Sequence, residues 1–435
     1  MKVSKKNIAI TGVAVSLAAV MLIGGGTFAY LKGETDPITN SFRTNQVLVN
    51  LEETTGSNYN IIPGTEQAKD PKITVNNTVD AWVYAIIDDS TQGLVDFSLA
   101  DGWIPLDGWS NGNFKVFYRA VSANVDVKSF SVLKSDKVSY NKALENSDMV
   151  DDDGTLKAGV NLTFTAYAIQ QAGFADAKEG FEQKYAAVDT SDALTQALEE
   201  GKTAVLSNDV ALPTYVEVKN TVDIIGNGKK IVAPESTGTS ISSRVINVNE
   251  QNEPVTINIK DANLVGPTTG TYTRGISVYG SDNVTINMED ASVSANYYAL
   301  NIAGNSDNAV LNIKNTKVTG WCAYQTWSPN TVAIFDDCEL IGLNDKTYNK
   351  DGWNNFATFV INEGATNTKT VFNNCTITAD QTTGNKQYFM SIRATDTTVE
   401  SHGSTFIANG TVIPNSEVEN YIEAYGSDYL NFTID

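Results

Sequence analysis

Asp336, Asp337 and His402 are the side chains of this sequence best suited by type and order to acid–base chemistry. They stand in Phe335-Asp336-Asp337 and Ser401-His402-Gly403, and Asn315-Thr316-Lys317 precedes them. Hydrolysis of a glycosidic bond uses two positioned carboxylates, and elimination uses a positioned base. Asp337 also fills a repeat position described below. On the residues alone, no catalytic group is assigned. The single histidine excludes a His-based zinc site of the H-E-x-x-H kind. Cys322, Cys338 and Cys375 form no C-x-x-C and are too few for a disulfide framework. No metal or other cofactor is expected.

A second constellation is aromatic. Trp321, Tyr324, Trp327, Trp353 and Phe356 cluster around the insertion 340–356, beside Asn and Asp. Such rings suit stacking on a sugar or contact with a protein, and they equally suit covering the edge of a long loop. The acidic run 146–159 invites a calcium reading, but Met149 occupies a place where a ligand oxygen is needed, so a solvated loop is expected.

These residues must be held by strands. The chain has 435 residues, enough for two or three domains, and a formal charge of −21 that argues against nucleic acid as a partner. Lys2, Lys5 and Lys6 precede an uncharged apolar run, 8–23, which ends in small residues around Ala29. This describes an export signal cleaved between Ala29 and Tyr30, placing the mature chain outside the cell with no membrane anchor.

Residues 255–266, VTINIKDANLVG, return at 284–295 as VTINMEDASVSA. Blurred copies follow, anchored on Ile259, Met288, Ile313, Phe335, Phe372 and Ser401 at spacings of 29, 25, 22, 37 and 29 residues. Constant strand chemistry with variable spacing means turns of fixed width and loops of free length. Ile259, Met288, Ile313, Phe335 and Phe372 should stack inside. Asp261, Asp290, Asn315, Asp337 and Asn374 should take a bend in left-handed geometry. Small residues (Ala262, Ala291, Thr316, Cys338, Cys375, Ser404) and then apolar ones (Leu264, Val293, Val318, Leu340, Ile377, Phe406) form the next columns. A second strand recurs as RVINV (244–248), RGISV (274–278), YALNI (298–302), FATFV (356–360) and YFMSI (388–392). The pattern predicts a right-handed parallel β-helix over 189–435, closed at its start by an amphipathic helix at 191–201 with Ser191 or Thr190 as cap. Cys338 and Cys375 should lie about one strand spacing apart, within disulfide reach, as thiols or as a bond.

Residues 30–188 read instead as short antiparallel strands, among them 46–53, 72–75, 81–87, 113–121 and 161–169, with a helical stretch near 139–146. A β-sandwich or jelly roll is expected. The blocks GGGTFAYLKGET, ITNSFRTNQVLVNLEE, IIPGTEQAKDPKITVNNTVDAWVYAIID and LTFTAYAIQQAGF resemble the TasA/camelysin family of exported Gram-positive matrix proteins, in the family's order. The resemblance rests on Pro63, Gly64, Lys69, Asp70, Pro71, Asn76 and Ala166–Gln170. It implies processing by a dedicated signal peptidase, a jelly roll, and self-association into extracellular fibres in which Tyr30–Thr39 completes a neighbour's sheet. Some relatives are called metalloproteases, yet the one histidine here lies in the other domain. The order Asn-Thr-Lys, Asp-Asp, Ser-His-Gly partly resembles the polygalacturonase series N-T-D, D-D, G-H-G, R-I-K, with Lys317 in place of its key carboxylate and no R-I-K segment.

The expected protein is an all-β, secreted, non-enzymatic matrix or surface protein, with the β-helix as rod or as glycan- or protein-binding surface. The alternative is a secreted polysaccharide lyase or hydrolase. The alternative needs two or more acids converging on one exposed groove.

Overall fold

The computed structural model describes residues 45–110, 112–126, 128–150, 157, 160–235, 243–269, 272–343, 357–379, 388–426 and 429–435. The protein is all-β, with antiparallel sheets first and long parallel sheets after.

In the first part, Val47–Glu52, Lys72–Asn77 and Ser129–Ser131 form one antiparallel sheet. Asn161–Gln170, Ala81–Ser90, Phe114–Val121 and Ile104–Pro105 form the facing one, in that order. Lys72–Asn77 alternates exposed and buried, sending Ile73 and Val75 into a core shared with Val83, Ala85, Ile87 and Val132. Ala81–Ser90 does not alternate. Its run AWVYAII is buried on both faces, as a central strand covered on both sides must be. The second cover is an aromatic cluster of Tyr84, Trp109, Phe114, Phe181 and Tyr185, into which Val205 and Ile225 of the β-helix also pack. The helical stretch expected near 139–146 is absent. Lys137–Tyr140 is a strand whose Val138 and Tyr140 are buried in alternation, and Asn146–Asp148 is a single 3-10 turn.

The second part is a parallel β-helix of three sheets. Among the described residues the first runs from Tyr185–Val188 to Leu430–Ile434 in ten strands. The second holds nine and the third eight. The expected columns are register partners: Ile224, Ile259, Met288, Ile313, Phe335, Phe372, Ser401 and Ile434 stack in one file. The apolar file Leu264, Val293, Val318, Leu340, Ile377 and Phe406 does likewise in the second sheet. The asparagine of each V-T-I-N segment faces outward and joins a side-chain ladder, Asn312 to Asn287 (2.8 Å), Asn287 to Asn258 (2.7 Å) and Asn258 to Asp223 (2.7 Å).

The bend column takes the left-handed region throughout, with φ of 49° at Asp261, 52° at Asp290, 42° at Asn315, 53° at Asp337 and 52° at Asn374; the following turn substitutes Gly403, φ 60°. Helix Ser191–Glu199 covers the first turn, with Thr190 Oγ1 accepting from the Ala193 amide at 3.2 Å and Leu194, Ala197 and Leu198 buried. A single strand of this series was not foreseen: Cys322–Thr326 belongs to the third sheet between Tyr298–Ile302 and Ala357–Ile361. All five of its residues are buried, so it carries no alternation to read.

Candidate functional site

The corner between the first and second sheets of the β-helix faces the sandwich across a groove of about 420 Å3. Ser90, Gln92 and Asn113 line it from the sandwich; Asp261, Asp290, Asp337 and Glu339 are its acids from the β-helix. The bend column places the first three acids there, because left-handed bends turn successive Asx side chains outward on one edge. Polar contacts fix the sandwich over this edge. Asn227 Oδ1 accepts from the amides of Asn113 (3.0 Å) and Phe114 (3.1 Å), Lys260 pairs with Asp88 at 2.9 Å, and Asn161 donates to Asp290 at 3.3 Å.

Most of these acids are engaged. Asp290 also accepts from Asn315 (2.7 Å), Asp337 accepts from Asn374 (3.4 Å), and Glu339 pairs with Lys317 at 2.7 Å. Asp261 differs. Its buried Oδ2 makes no hydrogen bond, and burial, with Asp88 and Asp290 nearby, raises its carboxyl to about 6. A carboxyl that titrates near neutrality beside an acid one turn away, roughly 5 Å along the axis, is the arrangement acid–base chemistry uses.

Asp336, Asp337 and His402 do not converge. Asp336, Asn373 and His402 are successive register partners, so His402 stands two turns, ~10 Å, from Asp336. Asp336 accepts from Asn373 at 2.5 Å, and His402 Nδ1 lies 3.1 Å from both carboxylate oxygens of Asp435. Lys317 pairs with Glu339.

The aromatic residues separate too. Tyr324 is 1% exposed and belongs to the inner file Ile276, Leu300, Tyr324, Phe359, where it packs on Phe335; the interior of the coil, not a ligand, takes its ring. Trp321 is 3% exposed, stacked on Tyr297 at 5.1 Å between centroids. Burial removes both from the direct ligand contact expected of them. Trp327 is half-buried and directly follows the third-sheet strand Cys322–Thr326. Trp353, Phe356, Ala29 and Tyr30 lie outside the described residues, as does most of the acidic run 146–159. Cys322, Cys338 and Cys375 are buried free thiols, and Cys338 and Cys375 are near enough to share a hydrogen bond. Among the described residues no group of acids, cysteines and histidine could hold a metal ion.

The groove's acids were legible in the sequence only as bend residues; that the sandwich would close over them was not. The third sheet held a further unread signal. Two successive strands begin with arginine, Arg244 and Arg274.

No protein-family model and no curated protein matches this chain. Among solved structures it is similar to an alginate lyase from Paenibacillus sp. str. FPU-7, at 11% identity over 58% of this chain and 99% of that one, with a TM-score of 0.26. So loose a superposition carries no argument about function. Among the described residues no helix is long and apolar enough to cross a membrane.

Proposed function

We propose that this protein is a secreted, non-enzymatic matrix or cell-surface protein of TasA-like organisation. Its sandwich assembles by accepting the N-terminal strand of a neighbouring copy, and its β-helix serves as the projecting rod. One observation carries this reading: Asn161–Gln170 is a ten-residue strand at the edge of its sheet, with no partner on its outer side among the described residues. Its side chains are half-buried on both faces, Leu162, Phe164, Ala166 and Ala168 on one and Tyr167 and Ile169 on the other. The edge strand of the facing sheet, Val47–Glu52, is also half-buried at Val47, Val49 and Leu51. The two strands pack against each other, with a cavity of about 890 Å3 near Leu51 and Phe164 and one of about 320 Å3 near Val47 and Ile169. An added strand would satisfy the open ladder of Asn161–Gln170. Tyr30–Thr39, freed by cleavage after Ala29, has the matching length.

Electron microscopy and size-exclusion chromatography of the mature chain, and of a chain lacking Tyr30–Thr39, test the proposal. Fibres or oligomers are expected from the first and monomers from the second; monomers from both would sink it.

A second reading is favoured by Asp261 alone. Its raised carboxyl beside Asp290 in an open groove suits general acid–base cleavage of a polysaccharide. Release of reducing or unsaturated ends, lost in Asp261→Asn, would replace the structural reading with this one.

A further inference from the structure

The cavity of about 890 Å3 in the sandwich opens to solvent and has walls of two kinds. Its floor is apolar. Leu51, Val138, Leu162 and Phe164 come from three different sheets, and Leu94 joins them from the turn after Ala81–Ser90. Leu51, Leu162 and Phe164 are only half-buried, so the sandwich leaves part of each without packing partners. Protein interiors are close-packed, and apolar surface facing an unfilled space forfeits dispersion contacts. The volume lies within the range of about 300–1,000 Å3 typical of small-molecule sites. The exposed residues Asn58, Asn60 and Asn161 form its rim, so the space is reached directly from solvent.

One wall is polar and charged. Lys69 is 8% exposed and donates to Glu53 Oε1 at 2.8 Å. An ammonium carries three N–H groups, and among the described residues the other two have no acceptor. The rings of Tyr59 and Phe164 flank it, with centroids 5.2 and 5.4 Å from Nζ. Glu53 Oε1 also accepts from Thr55 Oγ1 and from the Tyr59 hydroxyl, each at 3.2 Å. That carboxylate oxygen thus has three donors, while the cation is short of acceptors. A buried ion pair adds little stability over a well-packed apolar pair, so packing alone does not account for a lysine there. Lys157 lines the same cavity, and of the described lining residues only Glu53, Lys69 and Lys157 are charged. The lining is therefore positive by one charge, in a chain of net charge −21.

We propose that this cavity binds a small aliphatic carboxylate. Its hydrocarbon chain lies on the floor of Leu51, Leu94, Val138, Leu162 and Phe164, and its carboxylate accepts from the two unused N–H groups of Lys69. The charge of the wall favours an anionic head over a neutral one, and a cationic head would compete with Lys69 for Glu53. Branched aliphatic side chains dominate the floor, which suits a flexible hydrocarbon chain better than a polar ring. The site uses the space between the sheets, whereas strand exchange uses the outer ladder of Asn161–Gln170, so neither proposal rests on the other.

Titration calorimetry of the full mature chain against octanoate, octyl glucoside, octyltrimethylammonium and acetate tests this. Octanoate should bind at one site per chain. The neutral and cationic octyl probes should bind at least tenfold more weakly, and acetate, which has the head without the chain, should not bind. Lys69→Met should weaken octanoate at least tenfold and bring it level with octyl glucoside. Leu162→Trp, which fills the cavity from its floor and leaves the Lys69–Glu53 pair intact, should abolish octanoate binding and is the second variant should the first fail to fold. The proposal is overturned if octanoate does not bind, if octyl glucoside or acetate binds equally well, or if either variant, once folded, binds octanoate like the parent. A chain lacking Tyr30–Thr39 should bind octanoate undiminished, so failure of the fibre reading leaves a separate signature.

Discussion

Asp261 is the residue where structure and chemistry conflict most. The left-handed bend calls for Asx or glycine, and the fold supplies an aspartate whose buried oxygen has no donor and whose neighbours include two further acids. Its carboxyl titrates at about 6 in the folded chain against 3.8 as the ordinary value. Between those values the folded state holds more proton than the unfolded one, so stability falls as pH rises through the window and the loss is complete above about 6. The shift corresponds to about 1–2 kcal/mol once partial solvent screening is allowed for. Asp261→Asn keeps a residue the bend accepts, as Asn315 and Asn374 already do. The variant should therefore be more stable than the parent by about that amount at pH 7.5 and by little at pH 4.5. Thermal unfolding at both pH values checks it; equal gains at both would show that charge on Asp261 is not the cause.

At the scale of elements, what the sequence exposed and what it hid follow from burial. Strands with one wet face announce themselves by alternation, which is why the files of Ile259 and Leu264 could be written down residue by residue. Cys322–Thr326 is covered on both faces and shows no alternation, so of the two readings open to Trp321 and Tyr324 the structure takes the covering one, Trp321 packing outside the coil and Tyr324 inside it. The short helix Ala177–Phe181 was missed because five residues carry no helical period, although Asp176 caps it. The legible files have a measurable consequence. Phe335 and Phe372 stack at 5.4 Å, and Phe359 meets Phe372 at 5.3 Å, in the middle of the coil. Phe372→Ala removes one ring from both contacts and should destabilise the protein by about 3–5 kcal/mol in denaturant titration. A cost under about 1 kcal/mol would mean that neighbouring turns close over the gap and that the files are not rigidly registered.

For the whole molecule, the decisive contact is one that no local pattern could announce. The run AWVYAII signals a strand covered on both faces, but not that its second cover is the first turns of the β-helix. That cover is built from Phe181, stacked on Tyr185 at 4.5 Å, with Tyr84 and Trp109 around it and Val205 and Ile225 beyond. The polar ties of Asn227, Lys260 and Asp290 then lock successive turns to the sandwich. Such a shared core joins the sandwich to the β-helix without a flexible linker. It also predicts that the two parts unfold together. Calorimetry of the parent chain should show one cooperative transition, and Phe181→Ala, by opening the centre of the aromatic cluster, should split it, with the sandwich melting first. Two well-separated transitions in the parent would mean that the cluster only touches and does not couple, and the rod would then be free to swing on its sandwich.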